Sequence, residues 1–157
     1  MLPELGVLYR EHAAAVWRYT RTRLPTDADA EDVTSDVFAR ALRSGHTYDP
    51  ARGTPRAWLM GIARHACADW WRRRRPEDPV AQTPDQATED LAARESVASL
   101  GGVLSALSER EREAIALRFG AELSSQEIGD HLGISPTAAR MLVHRAVTKL
   151  RREVRDV

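Results

Sequence analysis

The sequence predicts an all-α protein of two small helical domains joined by a flexible linker, with boundaries at 1–75, 76–87 and 88–157. Three observations predict it. Apolar residues recur at three- and four-residue spacing, and no run shows the period-two alternation of a half-buried strand. Serine, threonine and proline stand where these helical stripes begin, as N-terminal caps do. Between the stripes, Pro76 to Ala87 carries three prolines, few apolar residues and an acidic bias, the composition of a tether.

Leu5, Leu8, Ala15, Val16 and Tyr19 place a first helix at about Glu4 to Arg23, ended by Leu24-Pro25-Thr26. Thr26 or Asp27 can cap a second helix, whose stripe is Val33, Val37, Phe38, Ala41 and Leu42 and which Gly45 stops. Tyr48 to Gly53 is a loop rich in turn formers. Thr54 then caps a third helix, with Pro55 in its first position, where a missing N–H costs nothing. Its inward residues are expected to be Trp58, Leu59, Ile62, Ala63 and Ala66, and its rod of about 30 Å ends before Pro76.

After the tether, an apolar helix is expected from near Thr88 through Leu91, Val97, Leu100, Val103 and Leu107, with Gly101-Gly102 weakening its middle. Ser108 to Glu111 and Ser124 to Glu127 both match a capping box, and Ser135-Pro136 opens the last helix.

The formal net charge is zero, but as a cancellation: Met1–Pro50 is −2, Ala51–Arg75 is +6, Pro76–Glu113 is −6 and Ala114–Val157 is +2. One cysteine excludes an internal disulfide. The longest uncharged stretch, 13 residues from Ser96 to Ser108, falls short of the ~20 that span a bilayer as a helix. With no secretory pattern at the N-terminus, a cytoplasmic protein without membrane insertion is the expectation. No phosphate loop, nucleophile elbow or catalytic triad pattern is visible, so no enzymatic activity and no cofactor are expected. His65 and Cys67, two apart, point to different sides of a helix, so no metal site is expected either.

Ser125 to Arg145 has the layout of a helix-turn-helix. Ile128 and Leu132 point inward, Gly129 lies where two helices cross, Gly133 takes the turn, and Ile134, Ala139 and Leu142 line the second helix. A plain helical hairpin shares this pattern, but six agreeing positions favour DNA binding. Thr137, Arg140, Met141, His144, Arg145 and Lys149 face outward, and Arg140 is the first candidate base reader because arginine suits bidentate contact with guanine. Lys149, Arg151 and Arg152 fit phosphate contact, or simply solvation of a helix end whose dipole favours cations.

In the first half, Trp70-Trp71 runs into Arg72 to Arg75. Two roles fit: aromatic faces stacking on unpaired bases with arginines on the backbone, or a core ladder continuing from Trp58, Ile62 and Ala66. Asp27, Asp29, Glu31, Asp32 and Asp36 concentrate acid near one helix start, where the dipole favours most of them. Asp36 lies too far along for that, which leaves a docking face for a basic partner or a solvated face.

With these residues in view, the sequence resembles a bacterial RNA polymerase sigma factor of the extracytoplasmic function group, from about Leu5 to Arg152. Asp29 to Val33 with Val37 to Ala41 resembles the helix that binds the polymerase clamp. Arg56 to Leu59, Ile62 to Arg64 and the arginine run resemble the promoter-melting helix, and Leu107 to Arg112 with the helix-turn-helix resembles region 4.

The resemblance implies that Asp29, Glu31, Asp32, Asp36 and Arg40 dock on core RNA polymerase. It implies that Tyr48, Asp49, Arg52, Arg64, His65, Trp70, Trp71, Arg72 and Arg73 hold the −10 element. Thr137, Ala138, Arg140, Met141, His144, Arg145 and Lys149 would read the −35 duplex, with region 4 also touching the polymerase flap. A separate anti-sigma factor is a further implied partner. The chain departs from the family's pattern at Gly61, where some members carry arginine, at His65, usually asparagine, and at Leu142, often arginine. Trp71 replaces a more usual aliphatic residue, and Ala138 and Ala139 are smaller than usual. The residues also fit two other functions: a regulator that binds DNA without polymerase, and a sigma-like scaffold that has lost promoter reading.

Overall fold

Thr26 separates the first two helices. Its hydroxyl accepts the backbone N–H of Asp29 at 3.1 Å, so it, not Asp27, is the cap. Helix α1 (Leu5–Arg23) ends just before it and α2 (Asp27–Ser44) begins just after. Short 3-10 turns at Gly45–Thr47 and Pro50–Arg52 lead into α3 (Pro55–Arg74), where Thr54 accepts the N–H of Ala57. The computed structural model describes residues 2–74 and 104–155; the whole of the expected tether and most of the helix expected from Thr88 lie outside them.

Leu8, Val16 and Tyr19 of α1 meet Val33, Val37 and Phe38 of α2 and Leu59, Met60 and Ala63 of α3 in a core with almost no solvent access. The buried side of α3 differs from expectation. Met60 and Cys67 are buried, while Trp58 and Ile62 are only half-buried and pack at the margin. The helix is covered on two sides, so its inward stripe is wider than one face of a hairpin partner requires. Leu42, expected on the α2 stripe, is exposed.

Both capping boxes form. Ser108 accepts the N–H of Glu111 while Glu111 accepts that of Ser108, and Ser124 and Glu127 repeat the exchange. They start α4 (Glu109–Ile115) and α5 (Ser125–Leu132). A π-helical turn, Ala116–Gly120, links the two, and Ser135 caps α6 (Pro136–Arg155) through the N–H of Ala138. Gly133 sits at φ 70°, a left-handed conformation that disfavours a side chain. A Cβ on Gly129 would lie 2.6 Å from the Ile134 carbonyl oxygen, so glycine sets how closely the α5–α6 turn folds back.

The two halves share one core. Ala116, Leu117, Ala121, Leu123, Ile128 and Ala139 join the cluster built on α1–α3. The π-turn lies across α1, with Gly120 against the backbone of Tyr19, and Arg18 Nε donating to the Gly120 carbonyl at 2.9 Å. Among the described residues no helix is long and apolar enough to cross a membrane.

Candidate nucleic-acid interface

Helix α6 presents Thr137, Arg140, Met141, His144 and Arg145 to solvent, while Ala139, Leu142 and Ala146 are buried beneath them. The spacing of three, four and seven residues puts the outward set on one face. Leu142, where the family often carries arginine, is thus a core residue here. Ala138 is half-buried and serves the cap of α6 through its N–H. Lys149 is exposed and has a partner. Its ammonium lies 2.9 Å from Oε1 of Glu111, an ion pair that ties α6 to α4. Burial raises the pKa of that carboxyl, but the Lys149 and Ser108 contacts outweigh burial and hold it below its ordinary value.

In the first half, the loop before α3 is shaped by its own polar groups. Asp49 accepts the N–H of Ala51, the Tyr48 hydroxyl donates to the Gly53 carbonyl, and the Tyr48 ring meets Trp58 edge-on at 5.7 Å. Gly53 adopts φ +154°, which side chains rarely do. Beside the loop is a cleft of about 440 Å³, walled by Tyr48, Asp49 and Arg52, by Trp58 and Gly61 of α3, and on the far side by α5. His65 is exposed and Cys67 buried, with burial pushing the Cys67 thiol up to about 12. Arg72 and Arg73 are exposed, Arg72 pairing with Asp69 at 2.5 Å.

The tryptophan pair does structural work in this arrangement. The Trp71 indole N–H donates to the Arg23 carbonyl at 3.0 Å, strapping α3 to the end of α1. Trp70 meets Trp71 edge-on at 4.9 Å and carries the Arg74 guanidinium 4.7 Å from its ring centre. Both rings are half-buried against the core, so the packing role left open by the sequence is occupied.

The acidic face narrows in the same way. Glu31 and Asp32 are exposed on α2, and Asp29 is partly covered, 4.0 Å from Arg74. Asp36 instead accepts from Arg40 at 2.9 Å, and Arg40 reaches Asp69 of α3, also at 2.9 Å. The hydrogen bond from Arg40 holds the Asp69 carboxyl below its ordinary pKa despite some burial. Arg40 therefore links α2 to α3, with Asp36 steadying it from within α2.

A second polar constellation, absent from the sequence reading, lies between the halves. Glu113 of α4 accepts the Tyr19 hydroxyl at 2.7 Å and Arg64 Nε at 2.8 Å, and lies 3.2 Å from Arg23 Nε. Arg23 also pairs with Glu109. Arg64 continues to the His131 carbonyl at 2.8 Å, and His131 Nε2 lies 2.9 Å from the Ala57 carbonyl. Glu122 pairs with Arg56 and Arg18, and Glu127 accepts from Thr54. Burial, followed by the charge of Glu113, drives the Tyr19 pKa well above its ordinary value, so its hydroxyl is a fixed donor. The only local signal was Gly61, whose missing side chain leaves space for the His131 ring, 3.6 Å from where a Cβ would stand.

The chain matches the family model Sigma-70 region 2 over residues 8–77 and Sigma-70, region 4 over residues 103–152. It is similar to the RNA polymerase sigma factor CarQ of Myxococcus xanthus, 36% identical, with 92% of this chain and 85% of that protein covered. It is also similar to the ECF RNA polymerase sigma factor SigL of Mycobacterium tuberculosis, 28% identical, with 98% and 90% covered. Among solved structures it resembles CnrH in complex with the cytosolic domain of CnrY, 27% identical, TM-score 0.73, covering 97% of this chain and 88% of that one.

Proposed function

Because the chain belongs to the RNA polymerase sigma factors of the extracytoplasmic function group, we propose how its surfaces divide the work of promoter recognition. The exposed row Thr137, Arg140, Met141, His144 and Arg145, borne on a helix-turn-helix, carries this reading. A helix so mounted enters the major groove, and Arg140, with no competing partner needed for the fold of α6, reads a base of the −35 element. The loop Tyr48–Gly53, with Arg64, His65, Arg72 and Arg73, holds the −10 strand, its cleft sized for a base and its arginines for phosphate. Glu31 and Asp32, with Asp29 at their side, dock on core polymerase. The chain has no catalytic activity of its own. A separate anti-sigma chain is its regulator, a reading supported by the similar CnrH, whose structure is a complex with the cytosolic domain of CnrY.

Two substitutions test the division. Asp32→Arg is expected to weaken binding to core polymerase at least tenfold, measured by titration of labelled core, with its thermal unfolding unchanged. Arg140→Ala is expected to cost about 1–3 kcal/mol of −35 duplex affinity and leave core binding intact. Core affinity unmoved by Asp32→Arg would remove the docking face. Equal binding of matched and scrambled duplexes by the unsubstituted protein would remove the base reader.

A further inference from the structure

Outside the junction between the two halves, the exposed row of α6 mixes side chains that donate hydrogen bonds, Thr137, Arg140, His144 and Arg145, with one that donates none. Met141 stands four residues after Thr137, three before His144 and four before Arg145, so it neighbours all three on one helix face. It is 51% exposed. A single exposed apolar residue is ordinary on a protein surface. The place of this one is not, because it lies in the N-terminal half of α6, the end of such a helix that reaches base edges.

The fold of α6 does not call on Met141. Ala139 and Leu142 seal the core beneath it. Ser135 caps the start of the helix, and Gly129 and Gly133 set the turn that carries it, so the row is presented from a rigid mount.

Major-groove chemistry selects a target for such a side chain. Guanine, adenine and cytosine present hydrogen-bonding groups there, and thymine alone adds an apolar one, its C5 methyl. A thioether pressed on the first three would cover donors or acceptors without replacing their bonds to water, which costs free energy. Against the thymine methyl it makes a favourable apolar contact. One side chain thereby favours thymine and disfavours the other bases.

We propose that Met141 is a thymine reader: in the −35 duplex its thioether packs on the C5 methyl of one thymine. The proposal rests on the promoter-reading assignment above, and adds the chemistry of one base in the element.

The test uses the full chain assembled with core polymerase. That complex first selects its preferred sequence from duplex DNA randomised across the upstream element. Each thymine of the selected duplex, on either strand, is then replaced in turn by deoxyuridine, which pairs alike and lacks only the C5 methyl. Competition binding is expected to show one position where the replacement weakens the parent complex about three- to fivefold, the contribution of one buried methyl. Met141→Leu is expected to keep that loss, and Met141→Gln, similar in length but polar, to abolish it. The exposed position lets both variants fold, which thermal unfolding checks. A selected sequence with no position sensitive to deoxyuridine overturns this proposal alone. So does a loss that survives Met141→Gln; if Thr137→Ser then removes it, the methyl is read by Thr137. A complex that selects no upstream sequence removes the reading helix, and this proposal with it.

Discussion

Three glycines predict three different responses to a single methyl group. At Gly129 a Cβ would lie 2.6 Å from the Ile134 carbonyl oxygen, so Gly129→Ala is expected to destabilise the helix-turn-helix by about 1–3 kcal/mol, seen as earlier thermal unfolding. At Gly133 nothing is in the way, and the penalty of about 1–2 kcal/mol comes from φ 70° alone. At Gly61 the neighbour is the His131 ring at 3.6 Å, an ordinary contact, so alanine is tolerated. His131 also gives the junction a pH dependence. Burial, then Arg64, lowers its pKa below 6.5, against the Ala57 carbonyl and the charges of Glu113 and Glu127. A base with a depressed pKa contributes its stability fully above 6.5 and loses it as pH falls toward the depressed value. The junction is therefore expected to loosen on mild acidification. His12, lowered by burial and by Arg56, titrates in the same direction, so His131→Gln is the control that isolates the junction histidine. A scattering profile unchanged between pH 7.5 and 5.5, or changing equally in His131→Gln, would remove this role.

At the scale of the helices, caps decide where each begins, and caps are local. Thr26, Thr54, Ser108, Ser124 and Ser135 all bond the backbone three residues on, which is why the helix starts were legible from sequence. Ser108→Ala is expected to cost about 1 kcal/mol through the lost cap, measured by chemical unfolding. Partners distant in sequence were not legible. Lys149 finds Glu111, Arg40 finds Asp69, and the Trp71 N–H finds the Arg23 carbonyl, so each of these three residues ties helices together. The exposure of Thr137, Arg140, Met141, His144 and Arg145 was legible because they share a single helix face, which spacing alone determines. The junction was invisible for the opposite reason. Tyr19, Arg64, Glu113 and His131 lie on four helices, and nothing local in the sequence joins them.

For the whole molecule, the zero net charge describes an internal arrangement. The basic stretch Ala51–Arg75 and the acidic residues after it meet across the junction at Arg64 and Glu113, so part of the field that could attract DNA is neutralised within the chain. The sum of charges therefore said little about nucleic acid. Polymerase docking through Glu31 and Asp32, strand capture beside Tyr48 and base reading at Arg140 are the three surfaces we propose for one initiation factor. Start-site mapping on genomic DNA, with sigma-free core polymerase and the purified chain, tests their combination most directly. The expected result is a stable complex with core and transcript starts confined to a small set of promoters with shared −35 and −10 elements, lost in Arg140→Ala although the complex persists. No complex with core, or a complex whose starts match those of core alone, would contradict it.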